Sequence, residues 1–208
     1  ILVNLGRDRP SLGGSALAQV YNQTGGDTPD VNAETIKEFF HKLTDLKAND
    51  KILAYHDRSD GGLFTTLAEM AFASRCGLDI NLSDLAGSTL EKLFNEEIGV
   101  VLQVKSVDSK AVLAAFGKNA QQIGKPKTYQ HIDIVDGNTK FSKSRAELES
   151  AWADTSYQIQ KLRDNPASAV QELATISDEK DPGLSPKLTF NLDTKVYKDG
   201  TRVAIMRE

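Results

Sequence analysis

The chain has 208 residues, of which 39% are hydrophobic and 26% are charged, and its formal net charge is −4. This balance is ordinary for a globular protein and argues against a wholly disordered chain, a collagen or a coiled coil. A sequence pI of about 5.5 offers little attraction to phosphate backbones, so we expect no nucleic-acid partner. No apolar run approaches the ~20 residues of a membrane-spanning helix, so we expect no membrane partner.

Cysteine and histidine are scarce. The single cysteine, Cys76, excludes an internal disulfide and a cysteine-based zinc site. His41, His56 and His131 lie far apart in sequence and do not form a zinc motif. The composition favours a reducing cytoplasm as the location.

Short apolar runs alternate with amphipathic repeats along the first part of the chain. We predict strands at Ile1–Leu5, Ile52–Tyr55, Leu78–Leu82, Val100–Val104, Gln122–Gly124, Tyr129–Val135 and Thr139–Phe141. We predict helices at Ser15–Asn22, Val31–Leu46, Leu63–Ser74, Leu90–Asn95 and Ser109–Gly117. This alternation indicates an α/β or α+β class, and we favour a three-layer α/β domain with a mixed sheet.

The sequence becomes more polar after residue 142. It predicts a long helix over Ser144–Asp164 and a second helix over Ala167–Ile176, with the break between them at Pro166. A linker over Ser177–Pro186 and strands at Phe190–Val196 and Arg202–Met206 follow. We therefore expect a domain at 1–142, a helical connector and wrapping linker at 143–201, and the first strand of another domain at 202–208. Because both ends read as strands, we expect a piece of a longer polypeptide.

The segment His56–Leu63 (HDRSDGGL) carries the strongest chemical signal, since it joins a predicted strand to a predicted helix. Open α/β sheets bind ligands at this position, where a helix N-terminus attracts phosphate. Asp57 would hold Mg²⁺, Ser59 would contact a phosphate or the sugar of a nucleotide, and the glycines would admit the ligand. The spacing alone does not distinguish this reading from a tight turn in which Asp60 caps the helix.

Two further motifs have weaker functional readings. Gly13-Gly14-Ser15 could wrap a phosphate, but a plain loop-to-helix turn is favoured. In Leu93–Gly99, Glu96 or Glu97 could bind a metal or act as a base, but a helix end with a glycine C-cap is favoured. The remaining candidates have structural readings: Cys76 as an apolar filler, and Trp152, Tyr157 and Leu162 as anchors against another domain.

Taken together and in order, these motifs resemble a known family. Gly13–Gln19, His56–Leu63 and Phe94–Gly99 resemble the second C-terminal-type domain of the synthetase region in large-type phosphoribosylformylglycinamidine synthase. That domain shares its fold with aminoimidazole ribonucleotide synthetase. Tyr157–Ala169 resembles the helical connector that follows it, and Val203–Glu208 resembles the first strand of the glutaminase domain.

The resemblance implies an ATP- and glutamine-dependent ligase of purine biosynthesis that converts formylglycinamide ribonucleotide to formylglycinamidine ribonucleotide. It implies that Asp57 is a Mg²⁺ ligand, that Ser59 contacts ATP or ADP, and that the chain works with the remaining synthetase and glutaminase domains. The catalytic residues are not identified, and the chain alone is expected to be inactive. Two alternatives stay open: a non-catalytic scaffold domain in which Asp57 only caps a turn, and a related kinase of the thiamine-phosphate or selenophosphate type.

Overall fold

In the computed structural model, which describes residues 1–6, 10–181, 183 and 186–191, eight strands form two four-stranded sheets. The first sheet contains β1 (Leu2–Asn4), β2 (Ala54–Arg58), β4 (Gly99–Gln103) and β5 (Ala120–Gln121). Its order is β2-β4-β1-β5 and all its neighbours are antiparallel. The second contains β3 (Gly77–Asn81), β6 (Gly124–Lys127), β7 (His131–Asp136) and β8 (Thr139–Ser144), in the order β6-β3-β7-β8. It is mixed, because β3 and β7 are parallel.

Seven α-helices accompany the sheets in the part of the chain that the structure describes. They are α1 (Ala16–Val20), α2 (Ala33–Ala48), α3 (Gly62–Ser74), α4 (Thr89–Phe94), α5 (Ser109–Phe116), α6 (Arg145–Arg163) and α7 (Pro166–Ala174). Side-chain caps fix several starts: Asn32 caps α2, and Ser88 forms a capping box with Glu91 at α4. None of the described helices is both long enough and apolar enough to span a membrane.

Two apolar clusters lie on opposite faces of the first sheet, because alternate residues of a strand face opposite sides. On one side Val3 and Val100 pack with Phe39 and Leu43 of α2 and with Val112 of α5, among others. The other cluster fills the space between the first sheet, α3 and the second sheet; its buried members include Leu2, Leu63, Leu67, Val101, Ile132 and Ile134. Helix α3 is therefore enclosed between the two sheets.

The two C-terminal helices are anchored by one buried cation. Arg145, at the start of α6, has no exposed surface. Its guanidinium donates to Gln130 Oε1 at 2.5 Å, to the Ile176 carbonyl at 2.8 Å and to Glu149. These bonds connect the start of α6 to the end of the helical extension, so the extension is held against the second sheet.

The expected α/β fold with a helical extension is present. Two strand predictions were misplaced: the strand predicted at Ile52–Tyr55 runs from Ala54 to Arg58, and the one predicted at Gln122–Gly124 covers the break between β5 and β6 and only the first residue of β6. The end of β2 was missed because His56, Asp57 and Arg58 are polar, as is common in an edge strand; among the described residues β2 pairs with β4 alone. The predicted strand Arg202–Met206 and most of Phe190–Val196 lie outside the described residues. Strand β8 continues to Ser144, past the predicted domain boundary at residue 142. The division of the chain at that residue stays a prediction.

Candidate functional site

The segment singled out by the sequence lies at the end of β2 and leads into α3. In the pairing of β2 with β4, Asp57 is opposite Val100 and His56 is opposite Val101. Those two valines belong to different apolar clusters, so Asp57 and His56 face opposite sides of the sheet. The strand thus separates an exposed carboxylate from an imidazole that faces α3.

Arg58 fixes the end of this strand. It is 7% exposed, and its guanidinium donates to the Glu97 carbonyl at 2.5 Å and to Asn4 Oδ1 at 2.6 Å. Burial lowers the pKa of Arg58 to about 10, with the charge of Glu97 opposing that shift, so the group stays cationic at neutral pH. Sequence reasoning missed Arg58. The available signal was its spacing: Arg58 follows His56 at the next-but-one position, so strand alternation places both side chains on the inner face.

Asp57 and Ser59 are both exposed. The backbone carbonyl of Asp57 accepts from Thr66 Oγ1 at 3.1 Å, which holds the strand against α3. Its carboxylate accepts a hydrogen bond from the Tyr55 hydroxyl. Burial first, and then this bond and the charge of Asp57, raise the pKa of Tyr55. The carboxylate is therefore held at the surface by a neighbour on the same face of β2.

A chain of polar contacts runs from this strand to the helical extension. His56 Nδ1 lies 2.7 Å from the Asp57 carbonyl, and His56 Nε2 lies 2.9 Å from Glu69 Oε2 of α3. Glu69 Oε1 in turn accepts from Trp152 Nε1 of α6 at 2.9 Å. Trp152 was predicted to anchor another domain. Within the described residues it contacts α3, where its ring also lies 5.8 Å from that of Phe72.

The two glycines of the turn are required by its shape. Gly61 and Gly62 have φ of +80° and +66°, and a Cβ on Gly62 would lie 2.7 Å from the carbonyl oxygens of Leu93 and Asn95. The N–H groups of both glycines already have acceptors within the protein. Gly61 N donates to Glu96 Oε1 at 2.8 Å and Gly62 N donates to the Ser59 carbonyl at 2.9 Å. The alternative reading, in which Asp60 caps α3, is wrong, because the N-cap residue is Gly61 and it makes no side-chain cap hydrogen bond.

The Gly13-Gly14-Ser15 loop leads to an amide that contacts Glu96, the carboxylate that also accepts from Gly61. Ser15, which is 1% exposed, is the N-cap of α1 and accepts from Ala18 N at 3.2 Å. Ala16 N donates to Glu96 Oε1 at 2.8 Å. The structure therefore joins three sequence motifs through Glu96. The expected glycine C-cap is wrong, because α4 ends at Phe94 with Asn95 as its cap and Gly99 begins β4.

The carboxylates of the site do not form a metal cage. No group of three or more His, Cys, Asp or Glu in the described ranges is arranged to hold a metal ion. Asp57 instead presents one exposed carboxylate. That donor fits Mg²⁺, which is commonly bound through one or two carboxylates with substrate phosphates and water as the other ligands.

A cavity of about 370 Å³ opens between the two sheets beside this site. His56 and Glu69 contribute to its wall, together with apolar side chains such as Leu67, Met70 and Val101. Asp57 and Ser59 are not among its lining residues. The cavity and the exposed Asp57–Ser59 segment are thus separate features on two sides of one strand.

The two sheets, the enclosed α3 and the polar strand-to-helix segment define an α/β domain with its candidate site at a sheet edge. Residues 1–136 match the model of the family described as AIR synthase related protein, C-terminal domain. The chain belongs to this family.

Two solved structures from Thermotoga maritima share the fold. Phosphoribosylformylglycinamidine synthase II from Thermotoga maritima is 12% identical with a TM-score of 0.54, and the match covers 70% of this chain and 25% of that one. T. maritima PurL complexed with ATP is likewise 12% identical, with a TM-score of 0.53 and coverages of 70% and 24%. Escherichia coli HypE, a hydrogenase maturation protein, is 19% identical with a TM-score of 0.46, covering 69% and 48%. This chain therefore spans about a quarter of the length of the T. maritima proteins.

Proposed function

We propose that the chain is one domain of a large-type phosphoribosylformylglycinamidine synthase and that it supplies Mg²⁺-nucleotide contacts at the end of β2. In this proposal Asp57 is a Mg²⁺ ligand and Ser59 contacts ATP or ADP. The observation that carries it is the exposure of both side chains on a strand end that buried Arg58 holds in place. The family match and the fold shared with a synthase of the same name support it.

The chemistry assigned to the domain is electrostatic. A bound Mg²⁺ would neutralise phosphate charge, which phosphoryl transfer requires. The residues of this chain orient and bind: Asp57 offers its carboxylate, Ser59 offers a hydroxyl, and Thr66 holds the Asp57 backbone. The whole protein would use ATP and glutamine to convert formylglycinamide ribonucleotide to formylglycinamidine ribonucleotide, with the other synthetase domains and a glutaminase domain supplying the remaining groups. The division into 1–142, 143–201 and 202–208 and the cytoplasmic location are parts of the same proposal.

The test is Asp57→Asn in the full-length protein, with Asp60→Asn as the matched control. Both replace an exposed carboxylate by an amide within the segment that joins the end of β2 to α3. We expect Asp57→Asn to lose most of the nucleotide and Mg²⁺ that co-purify with the wild type, and Asp60→Asn to retain them. Ser59→Ala should weaken binding less, because one neutral hydrogen bond contributes about 0.5–1.5 kcal/mol. Equal nucleotide content in wild type and Asp57→Asn contradicts the proposal.

A scaffold domain is the second candidate. It is favoured by the internal use of the turn, since Gly61 and Gly62 donate their N–H groups to protein acceptors and Asp57 accepts from Tyr55. In a scaffold, Asp57→Asn and Ser59→Ala would leave nucleotide content and synthase activity unchanged. The same panel of variants therefore separates the two functions.

A further inference from the structure

Glu96 connects two turns that are far from it in sequence. One carboxylate oxygen, Oε1, accepts from Ala16 N and from Gly61 N, each at 2.8 Å. The first amide belongs to the start of α1 and the second to the N-cap of α3. Bonds of this kind, from a backbone N–H to an ionised carboxylate, are roughly twice as strong as neutral ones.

The bond from Gly61 to Glu96 is linked to Ser59, the proposed nucleotide contact, by one further hydrogen bond in the same turn. Gly61 has φ of +80°, and its neighbour Gly62 donates to the Ser59 carbonyl at 2.9 Å. A residue without a Cβ samples many backbone conformations, so an external contact is needed to hold one of them. Glu96 supplies that contact and thereby restricts the backbone that carries Ser59.

We propose that Glu96 is a positioning residue for the nucleotide: it fixes the Gly61 turn so that Ser59 is presented next to Asp57. Glu96 touches no ligand in this account and acts only through the turn. This inference rests on the proposed function, because it names the Asp57–Ser59 segment as the place where the nucleotide binds. It assigns a role to a carboxylate that the sequence offered only as a metal ligand, a base or a helix end.

The test compares Glu96→Ala with Glu96→Gln in the full-length protein. Glutamine keeps an oxygen that can accept from both amides, whereas alanine removes it. Glu91→Ala is the matched control, because Glu91 is a carboxylate on neighbouring α4 that accepts from Ser88 N at 2.7 Å and from Ser88 Oγ at 2.8 Å. Its loss removes a helix cap without touching either turn.

Affinity for Mg²⁺-ADP is the first readout. We expect Glu96→Ala to weaken it about tenfold, Glu96→Gln to restore it to within about threefold of the wild type, and Glu91→Ala to leave it unchanged. Amide hydrogen exchange is the second readout. We expect faster exchange at Ala16 and Gly61 in Glu96→Ala, with slow exchange restored in Glu96→Gln.

Asp57→Asn belongs in the same experiment because it separates the two ideas. If Asp57→Asn weakens binding and Glu96→Ala does not, the positioning role is overturned and the proposed function stands. If Asp57→Asn binds as the wild type does, the proposed function fails and this inference fails with it. Tighter binding by Glu96→Ala also overturns the inference, since it would mean that the carboxylate competes with phosphate for the two amides.

Discussion

The two glycine-containing turns that precede α1 and α3 resemble each other in sequence but are built differently. Helix α1 has five residues, none of them buried, and Ser15 caps it. Helix α3 has 13 residues, six of which are buried, and no side chain caps it. Both turns donate one amide to Glu96, but the first is closed by the hydrogen bonds of Ser15, whereas the second packs Gly62 against the carbonyl oxygens of Leu93 and Asn95. A glycine-rich turn before a helix therefore does not define one kind of site.

The largest expected effect is a difference in unfolding free energy between glycine-to-alanine variants of the two turns, because one glycine is tightly packed and the other is not. Gly62→Ala should lower the free energy of unfolding by about 3 kcal/mol or more, because a positive φ and a contact with two carbonyl oxygens at 2.7 Å both oppose a Cβ. Gly14→Ala, also at positive φ but with its nearest neighbour at 3.7 Å, should cost only about 1–2 kcal/mol. Urea denaturation of both variants measures the difference. Equal costs would mean that the second turn is not held by packing.

Removing Arg58 should have the next largest effect. Arg58→Met keeps much of the apolar stem but leaves the Glu97 carbonyl and Asn4 Oδ1 without this donor, so we expect a loss of about 2–3 kcal/mol of unfolding free energy. Arg163→Met, on the exposed end of α6, is the control and should leave stability unchanged. Chemical denaturation of the two variants decides the point. An Arg58→Met variant with the stability of the wild type would show that the strand end does not depend on the guanidinium.

The smallest effect concerns α4, which is followed directly by the segment whose Glu96 accepts hydrogen bonds from both turns. Lys92 of α4 and Asp136 of β7 form a buried ion pair at 2.6 Å. Hydrogen bonds from Lys92 and Thr89 lower the pKa of Asp136. A lowered carboxyl pKa contributes its full stability above the unfolded value and loses it as pH falls through the folded value, so this contribution should begin to decline below about pH 4 and disappear at lower pH.

Asp136→Asn should therefore flatten the acid limb of the stability curve, measured as unfolding free energy between about pH 2 and 5. Asp164→Asn is the control, since the exposed pair of Asp164 with Arg163 is screened by solvent. The same acid dependence in wild type and Asp136→Asn would show that the Lys92 pair does not stabilise α4 against the second sheet.

The sequence predicted the parts of the fold that have regular patterns. Apolar alternation located most strands, and the 3.6-residue period located α2, α3 and the two C-terminal helices. It failed at β2, because an edge strand exposes one face and its polar residues resemble a turn. It also could not separate the strands into two sheets, since pairing is set by contacts between distant residues such as Val3 and Val100.

For the candidate site, the sequence indicated the correct neighbourhood but not its internal bonding. It placed Asp57 and Ser59 before α3, and both are exposed there. The use of the Gly61 amide by Glu96 joins residues 35 positions apart, and no local pattern signals such a contact. The burial of Arg58 likewise follows from the register with Gly99, which is a tertiary property.

The central claim, that Asp57 is a ligand of nucleotide-bound Mg²⁺, is tested most directly by changing the donor atom and the metal together. In the full-length protein, Asp57→Cys places a thiolate where a carboxylate was, and thiolates select soft metals over Mg²⁺. We predict that Asp57→Cys binds ADP weakly with Mg²⁺ and recovers affinity with Cd²⁺, whereas the wild type prefers Mg²⁺. Affinity for Mg²⁺-ADP equal to that of the wild type would contradict the claim.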